Sequence, residues 1–522
     1  MIRRLAVLLA PAVLAFVVYS FALDMPLFAD DGNLHAMIHD YGPEGVPGLR
    51  FWGGSLSYQY YRPLGMSVLE LSYGSDGRME PFALHLFSVV VFSATAALIA
   101  ALARRLTGKD SSALIAGGAF ALYPFAYRAV TWVAALFHVM VAFGLVLALL
   151  AGLAWIDRKR GVFPLIVAAL GTFIALFSQE LGVLTGPLLV GLTAAVHGPR
   201  AVLRPRALAL YGLVAALTLV YLALYFGIPR PAAGPVTFHA GELPGSLAVF
   251  SQGLFYPAFA VLRRLTLAAP QTIPMLALAA GGAALGLWLG GRARWRIGVF
   301  ALGAFALLAL PASLLLGTEY LKGSPHVLMP AAIGVALFWG VMLPGAFAQP
   351  AGRVARVKQA AAIAVIAGGV IISAAYLNAR RAEAVMMSEH TYALLDMIDP
   401  ATDERTILLN TPAFLSALEH DRWFFAGSEA TMFFEGTYAT HDLVFRAMTG
   451  VEYPRLRSFV HVPSFVAPPS YVFAPYWTGT PDDLADRLAR ATRIIATVFE
   501  GDHFYPAEVT YGQALPNGFV IP

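Results

Sequence analysis

Long apolar runs, each broken by a short polar or basic stretch, fill the first 377 positions of the chain. About 18 such residues in a row are enough to cross the hydrocarbon core of a bilayer as a helix. On that criterion the pattern predicts eleven spans, over 5–23, 82–103, 112–125, 131–155, 162–178, 181–197, 207–228, 272–290, 297–316, 325–346 and 360–377. The third is short and stops at Tyr123-Pro124, and a tight turn near Glu180 joins the fifth to the sixth. Residues 245–262 are also apolar. Counted as a span, they would place the basic residues around 292–296 and 353–358 on the opposite side of the bilayer. They are therefore read as an interfacial or re-entrant helix, ended by Arg263 and Arg264. The stretch 24–81 mixes turn formers with Phe51, Trp52, Tyr58, Tyr60 and Tyr61, and predicts short helices at 31–40 and 63–73. Beyond residue 377 the runs shorten: Thr406–Asn410 and Ile494–Phe499 predict strands. Residues 481–492, with Asp482 and Asp483 in the first turn, predict an amphipathic helix. The expectation is an α-helical polytopic membrane protein over 1–377, with outer loops at 24–81 and 229–271. A soluble α/β or α+β domain is expected over 378–522.

Composition agrees. Of 522 residues 58% are apolar and 13% charged, against about 25% charged in soluble proteins; mean hydropathy is +0.68. A purely cytosolic enzyme, a disordered regulator and a fibrous protein are excluded. With no cysteine, a disulfide framework, thiolate catalysis and cysteine-ligated metals are excluded too. The net charge of +4 is the sum of unlike parts. Residues 1–377 carry 25 Lys and Arg against 13 Asp and Glu, a balance of +12; residues 378–522 carry 10 against 18, a balance of −8.

Charge also sets the expected sidedness. With eleven spans and a cytoplasmic N-terminus, six basic clusters share the cytoplasmic side: Arg3/Arg4, Arg104/Arg105/Lys109, Arg158/Lys159/Arg160, Arg200/Arg204/Arg206, Arg292/Arg294/Arg296 and Arg353/Arg356/Lys358. Of the acidic residues before 378, only Asp110 and Asp157 join them. The first segment lacks an A-x-A cleavage site before Asp24 and reads as an uncleaved span. The setting expected is a bacterial inner membrane with the C-terminal domain outside. Dispersed basic residues give no sign of nucleic-acid binding.

Candidate chemistry gathers at the outer boundary. Asp30 and Asp31 follow the first span directly; adjacent carboxylates there suit a general base or a cation ligand, and equally the start of a short helix. In Tyr60-Tyr61-Arg62-Pro63-Leu64 the guanidinium of Arg62 suits a phosphate clamp or a headgroup anchor. Glu180, in Ser178-Gln179-Glu180, is a boundary carboxylate or a turn marker. His85 opens the second span and His138 lies inside the fourth; each is a functional candidate or a satisfied hydrogen-bonding group of the core. Arg128, Lys322 and His326 lie on the outer side, where each suits an anionic headgroup or solvent. No His/Asp/Glu spacing matches a zinc site, and no Walker-type loop occurs.

The order of these pieces resembles the GT-C class of integral-membrane glycosyltransferases over roughly residues 1–345. The pieces are the acidic pair, Tyr-Arg-Pro-Leu, Pro81 with His85, Tyr123-Pro124 before Ala129-Val130-Thr131-Trp132, Ser178-Gln179-Glu180, and Tyr320-Leu321 with Pro330. The protein O-mannosyltransferase branch and related membrane mannosyltransferases are the most similar. The resemblance implies transfer of a sugar from a polyprenyl-phosphate carrier to a protein, lipid or glycan acceptor at the outer face. It implies a catalytic carboxylate at Asp30 or Asp31, acting in an inverting single displacement. Substrate contacts fall to Arg62, Tyr61, Glu180, Arg128, His85, Lys322 and His326. A divalent cation is left open, since a carboxylate pair suits one and a monophosphate donor does not require it. The chain departs from those relatives in carrying Gln179 where they often have Lys, and Arg128 where they often have an acid. It also lacks their second histidine and asparagine after the position of His85, and their tetratricopeptide tail. A transporter of lipid-linked sugars, or a non-catalytic envelope assembly protein, are the competing readings.

Overall fold

A computed structural model describes residues 2–53, 56, 59–157, 161–231, 237–266, 272–348, 352–400, 405–409, 411, 414–417, 431–432, 441–453, 456–459, 471–474, 485–486, 488–500, 503–514 and 520. The basic residues 158–160 and part of the helix expected over 481–492 lie outside this set.

Eighteen described helices follow in chain order. They are α1 (Ile2–Tyr19), α2 (Asp30–His39), α3 (Pro63–Leu71), α4 (Pro81–Thr107), α5 (Asp110–Ala121) and α6 (Tyr127–Thr131). Next come α7 (Leu136–Asp157), α8 (Phe163–Ser178), α9 (Thr185–His197), α10 (Pro205–Gly227), α11 (Leu243–Ser251) and α12 (Tyr256–Thr266). The last are α13 (Thr272–Gly290), α14 (Trp295–Leu315), α15 (Thr318–Gly323), α16 (Ala332–Ala346), α17 (Arg353–Met397) and α18 (His441–Thr449). Among the described residues nine helical stretches are long and apolar enough to cross a membrane, or up to eleven if each of two bent pairs counts as one. The protein is therefore an α-helical, polytopic integral membrane protein.

The details follow from local chemistry. α4 starts on Pro81, which needs no N–H partner at a first-turn position. It ends on Arg104 and Arg105, with Gly108 in the left-handed conformation (φ 70°) donating its N–H to the Arg104 carbonyl at 2.7 Å. The expected span 112–125 is one arm of a pair, α5 and the segment Pro124–Thr131, bent by 49°. Pro124 has no N–H to continue the helix, so the chain breaks there. The apolar stretch 245–262 is a second pair, Ala240–Ser251 and Tyr256–Leu265, bent by 95°. Trp339 Nε1 donates to the Leu254 carbonyl inside that bend at 2.8 Å. The expected span 162–178 is a shorter helix, Phe163–Ser178. The expected span 360–377 is part of α17, which does not stop at 377, because 378–397 contains neither Gly nor Pro.

Packing is close between α7 and α8. A Cβ on Gly144 would lie 2.5 Å from the Ala175 nitrogen, and one on Gly171 would lie 2.6 Å from the Ala148 nitrogen. α16 is apolar around its whole circumference and every residue of it is buried, which places it at the centre of the bundle. The Arg104–Asp110 pair (2.7 Å), the Arg105–Asp157 pair (2.5 Å) and the His197–Asp157 pair (2.9 Å) close one end of the bundle. α2 and α3 sit at the other.

All named strands follow α17. β1 (Thr406–Leu409), β2 (Phe414–Ala417), β3 (Thr431–Met432), β4 (Arg457–Phe459), β5 (Tyr471–Ala474), β6 (Arg493–Glu500) and β7 (His503–Val509) form two sheets. One has the order β4-β1-β6-β7, parallel except for β6/β7, with Leu408 opposite both Ser458 and Ile495. The other is antiparallel β3-β2-β5. His390 of α17 meets Thr497 of β6 at 3.1 Å, tying the long helix to the first sheet.

Candidate functional site

The acidic pair opens α2. Its N-cap is Ala29, not an aspartate, so both carboxylates occupy the first turn, where the helix dipole favours negative charge. Ala29 is the one non-glycine residue among those described with a positive φ (52°), and it is fully buried. Such a conformation persists only where neighbours over-determine it.

The two acids differ in environment. Asp31 has no exposed surface, and its carboxylate accepts the Ala134 N–H at 2.7 Å and the Phe28 N–H at 3.0 Å. Burial pushes its pKa up to about 8 against those two donors. Asp31 is thus a tether between α2 and the 132–135 turn. Asp30 is half-buried. Burial raises its pKa above the usual carboxylate range, opposed by the Arg128 charge and a hydrogen bond with Asn33. A carboxyl tuned upward and not consumed by backbone donors suits a general base.

A chain of contacts runs from this pair across the bundle. The Phe28 ring stacks on Trp132 (6.4 Å), Arg128 lies over the face of Trp132 at 4.7 Å, and Arg128 Nη1 donates to the Gly323 carbonyl at 3.0 Å. His326 meets Trp132 edge to face at 5.5 Å and His138 at 5.7 Å. The His138 Nδ1 and the Gln179 Nε2 are 3.2 Å apart. Next to them Arg62 forks onto Glu180, at 3.2 and 3.1 Å from Nε and 2.8 Å from Nη2. Gln179 is extended (φ −160°, ψ 151°), so its side chain and that of Glu180 diverge, one to His138 and one to Arg62.

The predicted residues therefore separate into groups. Asp31, Arg128, His326, Arg62 and Glu180 lie along this chain of contacts, with Asp30 beside it in the field of Arg128. Arg62 is already clamped by Glu180, however, and stacks over Tyr60 at 4.4 Å, so the phosphate-clamp reading of its guanidinium meets a partner already in place. Tyr61 is fully buried, with its hydroxyl on the Trp52 carbonyl at 3.1 Å. It packs the core rather than facing the site. His85 is likewise buried, at 3.4 Å from the Pro26 carbonyl, beneath the chain that leads to α2. Lys322 pairs with Glu319 at 2.6 Å along the short helix α15.

Trp132 and Gln179 are site residues to which sequence reasoning gave no role, and His138 was only a weaker candidate. Trp132 and Gln179 both lie inside motifs quoted above. His138 carried only the signal of a polar ring in an apolar span. Among the described residues no group of three or more His, Asp and Glu side chains is placed to hold a metal ion.

A cavity of about 380 Å³ lies beside the two helix breaks, lined mainly by apolar side chains including Leu122, Tyr123, Leu254, Tyr256, Trp339 and Val370. Tyr123 and Pro124, on its wall, lead directly into the turn that carries Arg128.

No model of a known protein family matches the chain, and no curated protein matches it by sequence. Among solved structures, ArnT from Cupriavidus metallidurans bound to undecaprenyl phosphate is similar at 14% identity, over 74% of this chain and 71% of that one, with a TM-score of 0.41. The apo form of the same protein is similar at 14% identity over 94% and 92%, with a TM-score of 0.39. The Archaeoglobus fulgidus oligosaccharyltransferase tethered to an acceptor peptide is similar at 13% identity, over 80% of this chain and 62% of that one, with a TM-score of 0.41. Likeness this distant assigns no function, which must be read from the site itself.

Proposed function

We propose that this protein is a membrane glycosyltransferase of the GT-C kind, which moves a sugar from a polyprenyl-phosphate carrier to an acceptor hydroxyl or amide. The observation that carries this reading is a half-buried carboxyl at Asp30, tuned upward by burial at the start of α2 and lying in the field of the Arg128 guanidinium. Asp30 takes the proton of the acceptor as its oxygen or nitrogen attacks the anomeric carbon. The bond from that carbon to the carrier phosphate breaks, and the electron pair leaves on the phosphate oxygen. Arg128 and His326 supply positive charge and a hydrogen-bond donor to that oxygen. A single in-line displacement inverts the anomeric centre. The apolar cavity beside the helix breaks is the slot for the isoprenoid chain, with the bent segment 240–265 as one wall. In this reading residues 378–522 form a soluble outer domain, the N-terminus is cytoplasmic and the site faces outward. Mannose is one donor sugar to test.

The deciding experiment is Asp30→Asn in a cell-envelope glycan assay. Loss of the glycan with normal protein level is expected; wild-type glycan levels would remove the catalytic reading. The two bent helix pairs favour a second reading, a transporter of lipid-linked sugars, because broken helices also build transport sites. That reading expects Asp30→Asn to leave translocation of a fluorescent polyprenyl-phosphate sugar in proteoliposomes impaired and transfer irrelevant.

A further inference from the structure

Helix α18 arrives from more than 400 positions along the chain and packs on the helix that carries the acidic pair. The contact is built at three levels. Gly32, one residue after Asp31, faces the α18 backbone: a Cβ there would fall 2.8 Å from the Val444 nitrogen and 2.9 Å from the Leu443 carbonyl carbon. Only glycine permits this approach. At the other end of α2, Arg446 of α18 forks onto Asp40, at 2.5 Å from Nη2 and 2.9 Å from Nη1, and Nη2 also reaches His39 at 3.2 Å. On its far side α18 is anchored to the turn before α4: the Met79 N–H donates to the Ala447 carbonyl at 2.8 Å, and a Cβ on Gly450 would fall 2.7 Å from the Asp76 oxygen. Val444, Phe445 and Ala447 have no exposed surface and join the same apolar cluster as Phe28, Ala29 and Leu34.

A ten-residue helix is marginal alone in water. α2 is held from the membrane side by the Asp31–Ala134 hydrogen bond. Its opposite face rests on α18. With both faces held, the helix that carries Asp30 is fixed in place, and with it the backbone from which Asp30 meets Asn33 and the charge of Arg128.

We propose that α18 is a clamp on the base-bearing helix, and that Gly32, Asp40 and Arg446 are positioning residues for Asp30. The inference rests on the assignment of Asp30 as the base, but its test does not need transfer activity. The cysteine-free, full-length protein in detergent is treated with dicyclohexylcarbodiimide, which modifies protonated, sheltered carboxyls. Fragment mass spectrometry then scores Asp30 separately from Asp31 across pH. In the wild type, labelling of Asp30 persists above the ordinary carboxylate range. Arg446→Ala and Gly32→Ala are expected to lower its midpoint by about a pH unit, a roughly tenfold loss of labelling in the neutral range. The exchange Asp40→Arg with Arg446→Asp restores the midpoint. A merely structural role for α18 would change protein yield and leave the midpoint of the folded fraction in place, and that result overturns the clamp. Should Gly32→Ala fail to fold, Arg446→Ala and the exchanged pair decide. The two readings fail separately: an active Asp30→Asn variant removes the base, while an unmoved midpoint beside an inactive Asp30→Asn removes the clamp.

Discussion

At the scale of single residues, neighbours decide which of two adjacent aspartates does chemistry. Asp31 is spent on two backbone N–H groups, and Asp30 is not. Asp30→Asn should therefore lower transfer by about 10²- to 10⁴-fold, the usual worth of a general base, with the fold intact. Asp31→Asn should act on stability instead: an amide cannot accept both N–H bonds in the same way, at a cost of about 1–3 kcal/mol, read as a lower unfolding temperature in detergent. The pH dependence has a definite sign. Asp31 holds its proton to about pH 8 when folded, against the ordinary value of 3.8 when unfolded. The folded state thus binds the proton more tightly. This group favours folding fully below pH 3.8, and its contribution is lost as pH rises toward 8. Asp31→Asn should flatten that decline in a thermal-shift series from pH 4 to 8. The sequence supplied the pair, the residue types and their place at a helix start. It could not rank them, because the Ala134 N–H that separates them lies 103 positions away. The same limit explains Tyr61 and Arg62: side by side in one motif, one turns into the core and the other toward Glu180.

At the scale of elements, apolar length was legible and breaks were less so. Most spans follow from hydropathy because lipid leaves a spanning backbone little choice but helix. Pro124 announced the 49° bend; the 95° bend at residues 252–255 has no proline at its corner and was legible only through the charge count on either side. The expected span 360–377 lies inside α17, which runs on to Met397 because loss of hydropathy at 378 ends a membrane crossing but not a helix. Close helix contact is also invisible in one sequence until partners are known. Gly144 and Gly171 sit in unremarkable apolar runs, yet each faces backbone of the opposite helix. Gly144→Leu should overpack the α7/α8 crossing by about 1–3 kcal/mol or more. The measurement is the fraction of monodisperse protein after mild heating; an unchanged profile would contradict the packing described. Gly186→Leu, on a helix face with nothing closer than 3.7 Å, should be tolerated.

At the scale of the whole molecule, the uneven charge is the main constraint. The bundle end closed by the Arg104–Asp110 and Arg105–Asp157 pairs lies opposite the candidate site. The positive balance of residues 1–377 then argues for that end facing the cytoplasm. A reporter fused after Ala382 should accordingly be exported, and a cytoplasmic signal would invert the orientation proposed here. One feature reaches across the entire assembly. α17 has 45 residues, a rod of roughly 68 Å at 1.5 Å per residue, while the hydrocarbon core it crosses is about 30 Å thick. Its far end is stitched to the strands through His390 and through the Met397 carbonyl, which accepts a bond from Arg493 at 2.6 Å. Any change of tilt that thicker or thinner lipid imposes on the inner part must swing the outer part, as an oar turns in its rowlock. Bilayer composition would then be felt by the strands as mechanical displacement, and through them by the helix that rests against the aspartates.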